Sequence, residues 1–165
     1  MGNIPQCAGS WKRFILVSVR DQRLYLIENH EIIRTYLIST AKAGTGNLKG
    51  SGKTPQGLHK IFAKIGKGAV KDAVFKDRIN TREVWDGKSV FGDLILSRVL
   101  WLSGLEPGIN RGNNVDTRAR YIYIHGTNHR RTLGRPASHG CITMKSEDLI
   151  ELFNRVRKGD RVVIA

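Results

Sequence analysis

The chain has 165 residues, 40% of them hydrophobic, and a formal net charge of +14 at pH 7. That length suits one domain with its own core, and the composition is that of a globular protein. Apolar runs such as Phe14 to Val17 are far shorter than the roughly 20 residues of a membrane span, which excludes a spanning segment. The basic residues form no long run, so a nucleic-acid or polyanion binding module is a less favoured alternative to an enzyme.

Met1 to Arg13 is predicted to be an N-terminal extension. It lacks the basic start, apolar stretch and cleavage site of a secretory signal. We therefore expect a cytoplasmic protein, or a periplasmic one if a native signal peptide precedes this sequence. The two cysteines, Cys7 and Cys141, are fewer than a secreted disulfide scaffold of this size usually carries. A free Cys141 is the simpler interpretation, and a disulfide between the two cysteines is the other.

The first third of the chain has the alternation and the turn residues of a β-meander. Three strands are predicted, over Phe14 to Val19, Arg23 to Glu28 and Ile32 to Ser39. A glycine-rich loop from Ala43 to Pro55 precedes a fourth strand, Gly57 to Ile65. Because the loop lacks the Gly-Lys-Ser/Thr ending of a phosphate-binding loop, nucleotide binding is not indicated.

The middle of the chain is harder to interpret. Gly66 to Lys88 has no clear period, and no structure is predicted for it. Leu94 to Leu102 is mostly apolar and forms either a strand or a short helix. Ser103 to Asp116 is rich in Gly, Pro and Asn and is predicted to be a loop.

The last third contains the clearest strand, Arg120 to His125, which ends on a histidine. Ser146 to Val156 is predicted to be a helix, with Ser146 as its N-cap and Gly159 as the residue that ends it. Arg161 to Ala165 closes the chain as a strand. These elements predict a mainly β domain with few short helices.

Two short segments carry the chemistry. The first is Tyr123-Ile124-His125-Gly126-Thr127, and the second is Ser138-His139-Gly140-Cys141-Ile142-Thr143. Cys141 is the candidate nucleophile, and a thiol with a pKa of about 8.5 needs a base or a cation to form its thiolate at neutral pH. His125 is preferred as that base over His139, whose short backbone tether to Cys141 makes a good ring-to-sulfur contact awkward.

The glycines beside these two residues have roles of their own in this interpretation. The backbone carbonyl of Gly126 is a candidate to orient the His125 ring, because no carboxylate lies nearby in the sequence. Gly140 lets the backbone approach the substrate closely. The N–H groups of Gly140 and Cys141 are candidates for an oxyanion hole.

Together, these segments resemble the L,D-transpeptidase catalytic domain, also called the YkuD-like domain. That family has a histidine followed, after a loop, by Ser/Thr-His-Gly-Cys and a hydrophobic residue, as in Ser138 to Ile142 here. Lys53-Thr54-Pro55-Gln56-Gly57 is similar to the Thr-Pro-x-Gly segment of the same family. The resemblance covers roughly residues 14–165, which we take as the catalytic domain, and it implies a YkuD-like β-sandwich.

The resemblance also implies an activity. Cys141 would attack the carbonyl of the bond between an L-centre and a D-residue in a peptidoglycan tetrapeptide stem, release terminal D-alanine and form an acyl-enzyme. Water as acceptor gives an L,D-carboxypeptidase, and an amine gives a 3-3 cross-link or an exchanged D-amino acid. Because no export signal is evident, we expect the hydrolytic reaction of muropeptide recycling, without a cofactor or nucleic-acid partner; the oligomeric state is open.

The chain departs from the family at Thr143, where members usually carry an arginine. Arginine holds a carboxylate through two hydrogen bonds, so a loop arginine could replace it, and Arg135 is favoured over Arg130 and Arg131 because it lies nearest the motif. The residues assigned to substrate binding are Ser138, His139, Tyr123, Thr143 and Arg135.

Less specific interpretations of the same residues remain. Cys141 could be a buried structural thiol, and His139 a structural hydrogen-bonding group of the motif loop. His125, His129, His139 and Cys141 are all zinc-ligand types, although the loop after His125 argues against a helical ligand pair. Tyr123 could belong to the core rather than to the wall of a pocket.

Overall fold

The computed structural model describes residues 6–165, with side chains from residue 8 onwards. Residues 1–5 of the predicted N-terminal extension and the side chain of Cys7 lie outside the described residues. The extension continues as a 3-10 helix over Gln6–Ser10, in which Ala8 is buried in a small apolar cluster with Phe14 and Val163. Cys141 is a free thiol.

Ten strands and one α-helix make up the described chain. The strands are β1 Arg13–Ser18, β2 Arg23–Glu28, β3 Glu31–Ser39, β4 Gly57–Ile65, β5 Ala73–Lys76, β6 Ile79–Val84, β7 Ile95–Gly104, β8 Tyr123–Gly126, β9 Ile142–Met144 and β10 Arg161–Ile164. The helix α1 spans Ser146–Arg155, and short 3-10 turns lie at Asn113–Val115 and Arg130–Thr132. The mainly β prediction is confirmed.

Eight of the strands close into a ring in the order β4-β10-β1-β2-β3-β9-β8-β7, because β7 also pairs with β4. Most neighbours are antiparallel, whereas β1–β10 and β8–β9 are parallel. The hairpin of β5 and β6 extends the sheet from β7. The result is a β-barrel or sandwich-like fold whose closure leaves few exposed strand edges.

The main core consists of alternate side chains of these eight strands, all turned to the inside of the ring. The apolar stripe of α1, formed by Leu149, Leu152 and Phe153, packs against the same cluster. Lys64 of β4 donates to the carbonyl oxygens of Phe153 and Val156 at 2.6 Å each. It thereby satisfies carbonyls at the end of α1, where a cation is also favoured by the helix dipole.

Two predicted helix boundaries are wrong. The N-cap of α1 is Lys145, which makes no side-chain cap hydrogen bond, and Ser146 is already helical. The Ser146 hydroxyl instead donates to the buried carboxylate of Asp72 at 2.5 Å. A carboxylate is a strong hydrogen-bond acceptor, so the hydroxyl pairs with it and does not cap the helix. The helix ends at Arg155 with Val156 as its C-cap, so Gly159 lies in the turn before β10.

The stretch from Gly66 to Lys88, for which no structure was predicted, contains the β5–β6 hairpin. Its turn residues Asp77 and Arg78 both have positive φ, as the two central residues of a type I′ turn do. All of β6 is exposed. The alternative of a helix over Leu94 to Leu102 is wrong, because this segment lies in the buried strand β7.

His59 of β4 is fully buried, and this makes the stability of the fold depend on pH. Its Nδ1 lies 3.0 Å from the Gly57 carbonyl oxygen and its Nε2 lies 3.0 Å from the Thr117 hydroxyl. Burial lowers the pKa of His59 to about 4. The neutral ring therefore contributes stability that is complete above the unfolded pKa, near 6.5, and is lost as the pH falls towards 4.

We expect the free energy of unfolding to fall by about 3 kcal/mol between pH 7.5 and pH 4 because of His59, from 1.36 kcal/mol per pKa unit. Urea unfolding followed by circular dichroism across this range measures the loss. His59→Gln should flatten the profile, whereas His30→Gln, in an exposed turn, should leave it unchanged. An unchanged profile in His59→Gln would show that other groups cause the acid sensitivity.

Candidate active site

Two parallel neighbouring strands bring the candidate nucleophile and base together. In the β8–β9 register, Ile124 lies opposite Ile142 and His125 lies opposite Thr143. Ile124 and Ile142 point into the core, so the alternate residues face outwards. Cys141, immediately before β9, therefore shares an outer face with His125, although the two are distant in sequence.

His125 is buried at the end of β8, and its ring is oriented by its own neighbour. Nδ1 lies 2.7 Å from the carbonyl oxygen of Gly126, so Nδ1 carries the hydrogen and donates it. Nε2 is then the unprotonated nitrogen, available to accept a proton. Burial lowers the pKa of His125, against the opposing effects of the Gly126 carbonyl and Asp93, and so favours the neutral base.

The space around Gly126 does not admit a side chain. A Cβ at this position would lie 2.6 Å from the Leu96 carbonyl oxygen and 3.1 Å from the Ser146 hydroxyl oxygen. The backbone of β7 and the start of α1 therefore enclose the residue whose carbonyl orients the His125 ring.

Cys141 is half-buried, and its sulfur contacts backbone groups. The Tyr123 N–H donates to Sγ at 3.3 Å, and Sγ lies 3.6 Å from the Tyr121 carbonyl oxygen. Burial raises the pKa of Cys141 to about 11, although the Tyr123 N–H and the Arg120 guanidinium act in the opposite direction. The thiol is therefore protonated at neutral pH, and it would need a base to act as a nucleophile.

Cys141 and His125 line one cavity of about 200 Å³. Its other walls come from the loop before β7 and the start of that strand, from the loop after β8, and from the motif turn and β9: Asp93, Ile95, Thr127, His129, Thr132, Ala137, Ser138, His139 and Thr143. Asp93 was missed by sequence reasoning, because nothing in the local sequence connects it to a motif more than forty residues away.

The motif turn before Cys141 is held by hydrogen bonds within the protein. The Ser138 hydroxyl donates to the Cys141 carbonyl oxygen at 2.6 Å and accepts the Gly140 N–H at 3.3 Å. Gly140 has a φ of 134°, in the region that favours glycine. Thr54 of the Thr-Pro-x-Gly segment donates its hydroxyl to the Gly140 carbonyl oxygen at 2.9 Å and so joins the two motifs.

A family model described as the L,D-transpeptidase catalytic domain matches residues 12–164. The chain belongs to the L,D-transpeptidase family. Among curated relatives, the putative L,D-transpeptidase YkuD of Bacillus subtilis is 49% identical over 41 residues, 25% of this chain and 25% of that protein. The putative L,D-transpeptidase YqjB of the same species is 40% identical over 48 residues, 29% of this chain and 27% of that protein.

Solved structures of other L,D-transpeptidases share the fold. The enzyme from Xylanimonas cellulosilytica has a TM-score of 0.57 and 18% identity, covering 99% of this chain and 65% of that one. L,D-transpeptidase 3 of Mycobacterium tuberculosis, solved with a faropenem-derived adduct, has a TM-score of 0.56 and 14% identity, covering 93% and 60%. The matches span about a quarter of these curated relatives and three fifths or slightly more of these solved chains.

In this L,D-transpeptidase-family domain, three of the residues predicted to bind substrate line the cavity, and the other two, Tyr123 and Arg135, do not. Thr143 and His139 line the cavity, and the Thr143 hydroxyl lies 3.4 Å from the Ser39 carbonyl oxygen. Ser138 also lines it, but its hydroxyl is engaged within the turn. Tyr123 lies behind the sulfur, where its backbone contacts Cys141 and its hydroxyl accepts a hydrogen bond from Arg78 at 3.0 Å.

The loop arginines do not line the cavity. Arg130 donates to both carboxylate oxygens of Asp72 at 3.1 Å and stacks 5.1 Å above the Trp85 ring. Arg135 is exposed, and its backbone carbonyl accepts the Ser39 hydroxyl at 2.5 Å. A role for Arg135 in carboxylate binding stays a prediction, and it needs the side chain to reach over the rim of the cavity.

Residues 6–165 contain no cluster of three or more His, Cys, Asp or Glu side chains arranged to hold a metal ion. Across the same residues, no helix has the length and apolar character needed to cross a membrane.

Asp93 connects three segments around the cavity mouth. Its Oδ2 lies 2.5 Å from His139 Nδ1 in the motif turn, and its Oδ1 lies 2.7 Å from His129 Nε2 in the loop after β8. The side-chain oxygen of Asn128, in the loop after β8, accepts a hydrogen bond from the N–H of Leu94, next to Asp93, at 2.8 Å. Asp93 therefore positions both histidines at the edge of the cavity.

We expect Asp93→Asn to lower kcat/KM about fivefold, mainly through KM. The amide retains one acceptor oxygen for two histidines, and exposed polar side-chain pairs contribute about 1 kcal/mol or less. Steady-state kinetics on a soluble tetrapeptide measure the effect. Asp86→Asn is the control, because among the described residues Asp86 pairs only with Lys88 in the same loop. Equal kinetics in the two variants would remove Asp93 from the site.

Proposed function

We propose that this chain cleaves the L,D peptide bond of peptidoglycan tetrapeptide stems through a Cys141 acyl-enzyme, as an L,D-carboxypeptidase of muropeptide recycling. One observation carries the proposal: Cys141 and His125 open into the same cavity, and Gly126 holds the His125 ring with Nε2 unprotonated. Family membership supports chemistry on peptidoglycan peptides.

The acylation step follows from the two pKa shifts. Because the thiol pKa is raised and the imidazole pKa is lowered, the resting pair is neutral and not a thiolate–imidazolium pair. His125 Nε2 takes the thiol proton as the sulfur attacks the carbonyl carbon of the L-centre. The C–N bond to D-alanine then breaks, and His125 returns the proton to the leaving amine. The tripeptide remains on Cys141 as a thioester.

Deacylation uses the same base. His125 removes a proton from water, the water oxygen attacks the thioester carbonyl, and the Cys141 thiolate leaves and regains a proton. The oxyanion of both steps would lie near the Gly140 N–H, whose present bond to the Ser138 hydroxyl is long, at 3.3 Å, and easily exchanged. A water occupies only about 30 Å³, so the cavity beside the thiol has room for the attacking water.

Transpeptidation is the second candidate, and a separate observation favours it. A second cavity, of about 620 Å³, lies on the Tyr121 side of the sulfur and shares His139 with the first. An amine acceptor from another stem could approach the thioester from that side. The product would then be a 3-3 cross-link or a stem with an exchanged D-amino acid.

The mass of the product distinguishes these reactions. The purified protein is incubated with a tetrapeptide muropeptide, with and without an added D-amino acid, and the products are analysed by mass spectrometry. Loss of one alanine supports the L,D-carboxypeptidase. A joined peptide or an incorporated D-amino acid supports the transpeptidase, and an unchanged muropeptide in both incubations would contradict both.

A further inference from the structure

Three aromatic rings form a row on the outer face of the barrel. Phe62 of β4 and Trp101 of β7 have ring centroids 5.1 Å apart in an edge-to-face arrangement. Trp101 and Tyr121, in the turn before β8, have centroids 5.8 Å apart. The pairing of β4, β7 and β8 places these rings side by side, with Ala63 opposite Trp101. They remain partly or largely exposed.

Three cations lie over these rings, and we call the six side chains the aromatic–cation row. Arg118 lies 4.9 Å and Lys158 5.8 Å from the centroid of Phe62. Arg78 lies 5.0 Å from the centroid of Trp101 and 4.8 Å from that of Tyr121. A cation over a ring face is attracted by the ring's quadrupole, which holds each guanidinium in place.

None of the three cations of the row forms an ion pair with a described side chain, and Arg78 donates one hydrogen bond to the Tyr123 hydroxyl. Arginines elsewhere, such as Arg13, Arg34 and Arg130, form ion pairs with carboxylates. Arg78, Arg118 and Lys158 have no carboxylate within 4 Å among the described side chains. A guanidinium stacked on a ring keeps its edge available for two hydrogen bonds to a carboxylate.

The row is continuous with the catalytic cysteine. The Tyr121 carbonyl oxygen lies 3.6 Å from Cys141 Sγ. Next to that end is the cavity of about 620 Å³, with basic residues Lys49 and Arg120 in its wall. At the other end is a small cavity of about 150 Å³ whose lining includes Lys60, Phe62, Arg111 and Arg118.

We infer that the aromatic–cation row binds an acidic glycopeptide strand, the polymeric form of the substrate, beyond the stem that enters the catalytic cavity. The exposed parts of the rings that the cations leave uncovered offer apolar contact to sugars, and the cations match the carboxylates of neighbouring stems. Continuity with Cys141 favours this partner over nucleic acid. The inference rests on the transpeptidase candidate of the proposed function, because polymeric peptidoglycan is the substrate of cross-linking, whereas recycling acts on released muropeptides.

Sedimentation with insoluble peptidoglycan sacculi tests the inference, using Cys141→Ala so that bound polymer is not processed. Adding Arg118→Gln and Lys158→Gln should raise the apparent Kd about three- to tenfold, since exposed ion pairs contribute up to about 1 kcal/mol each. The control is Arg20→Gln with Arg23→Gln, which removes the same charge at the β1–β2 turn and the start of β2, across the barrel. It should bind as the parent does.

Two further measurements test whether the rings contribute to binding and whether the row acts only on the polymer. Phe62→Leu keeps the charge but removes a ring, and it should also weaken binding to sacculi. In the chain with Cys141 intact, Arg118→Gln with Lys158→Gln should leave kcat/KM on a soluble tetrapeptide unchanged, because a single stem does not reach the row.

The inference is overturned if the parent does not sediment with sacculi, if the row variants bind like the parent, or if the Arg20/Arg23 control loses as much affinity. It is also overturned if the row variants lose affinity for duplex DNA but not for sacculi, which would indicate a nucleic-acid surface. Failure of the intact chain to process any soluble tetrapeptide would contradict the proposed function instead, since binding to sacculi is measured without turnover.

Discussion

Cys141→Ala is expected to abolish turnover of the tetrapeptide while the domain remains folded. No other side chain on the shared β8–β9 face can form the thioester, so the loss should reach the detection limit rather than a fraction of the rate. The sulfur packs at the edge of the apolar cluster that contains Phe75 and Tyr123, and removing one atom there has little effect on the core. Product mass spectrometry and thermal unfolding are the measurements.

Cys141→Ser is the matched variant, because it places a hydroxyl where the thiol was. The hydroxyl is far less acidic than the thiol, and His125, with its lowered pKa, is a weak base, so this variant should also be inactive. Normal turnover by Cys141→Ala, with a correctly folded protein, would rule out the acyl-enzyme at this residue.

His125→Ala is expected to lower kcat about 10²–10⁴-fold, the usual contribution of a positioned general base. His129→Ala should lower it far less, because His129 lies at the cavity edge and contacts Asp93 and the Gly92 carbonyl oxygen rather than the sulfur's face. Both variants remove one imidazole from the same cavity, which makes them a close comparison. The rates are measured under single-turnover conditions with excess enzyme.

Equal losses in the two histidine variants would show that the base was assigned to the wrong residue. A loss in His125→Ala that vanishes at high pH would be consistent with the assignment, because the thiol then ionises without help. Its pKa of about 11 places that recovery well above neutral pH. Alkylation of Cys141 by iodoacetamide across pH 7–11 reports the same ionisation independently of the substrate.

Much of the fold could be predicted because its strands alternate apolar and polar residues. Arg23–Glu28 and Gly57–Ile65 form strands with the predicted bounds, since their inner residues pack in one closed core. The β5–β6 hairpin could not be predicted, because β6 is exposed on both faces and has no apolar alternation. Predicted strand Arg120 to His125 begins later, at Tyr123, because Tyr121 adopts a positive φ in the preceding turn.

The candidate site was predictable where its residues belong to short motifs. His125 and Cys141 each lie beside a glycine in a compact segment, and the parallel pairing of β8 and β9 brings these segments together. Asp93 and the aromatic–cation row depend on long-range register, which no local pattern carries. The prediction that Ser146 caps the helix was wrong for the same reason, because its hydroxyl bonds to Asp72, which is far away in the chain.

The intact mass of the protein during turnover tests the central claim most directly. Wild-type protein is mixed with a tetrapeptide muropeptide, quenched in acid within the first turnover, and analysed before and after proteolysis. The account predicts a protein adduct with the mass of the tripeptide acyl group, located on the Cys141 peptide and sensitive to hydroxylamine as a thioester is. Release of D-alanine without such an adduct, or an adduct that persists in Cys141→Ala, would contradict it.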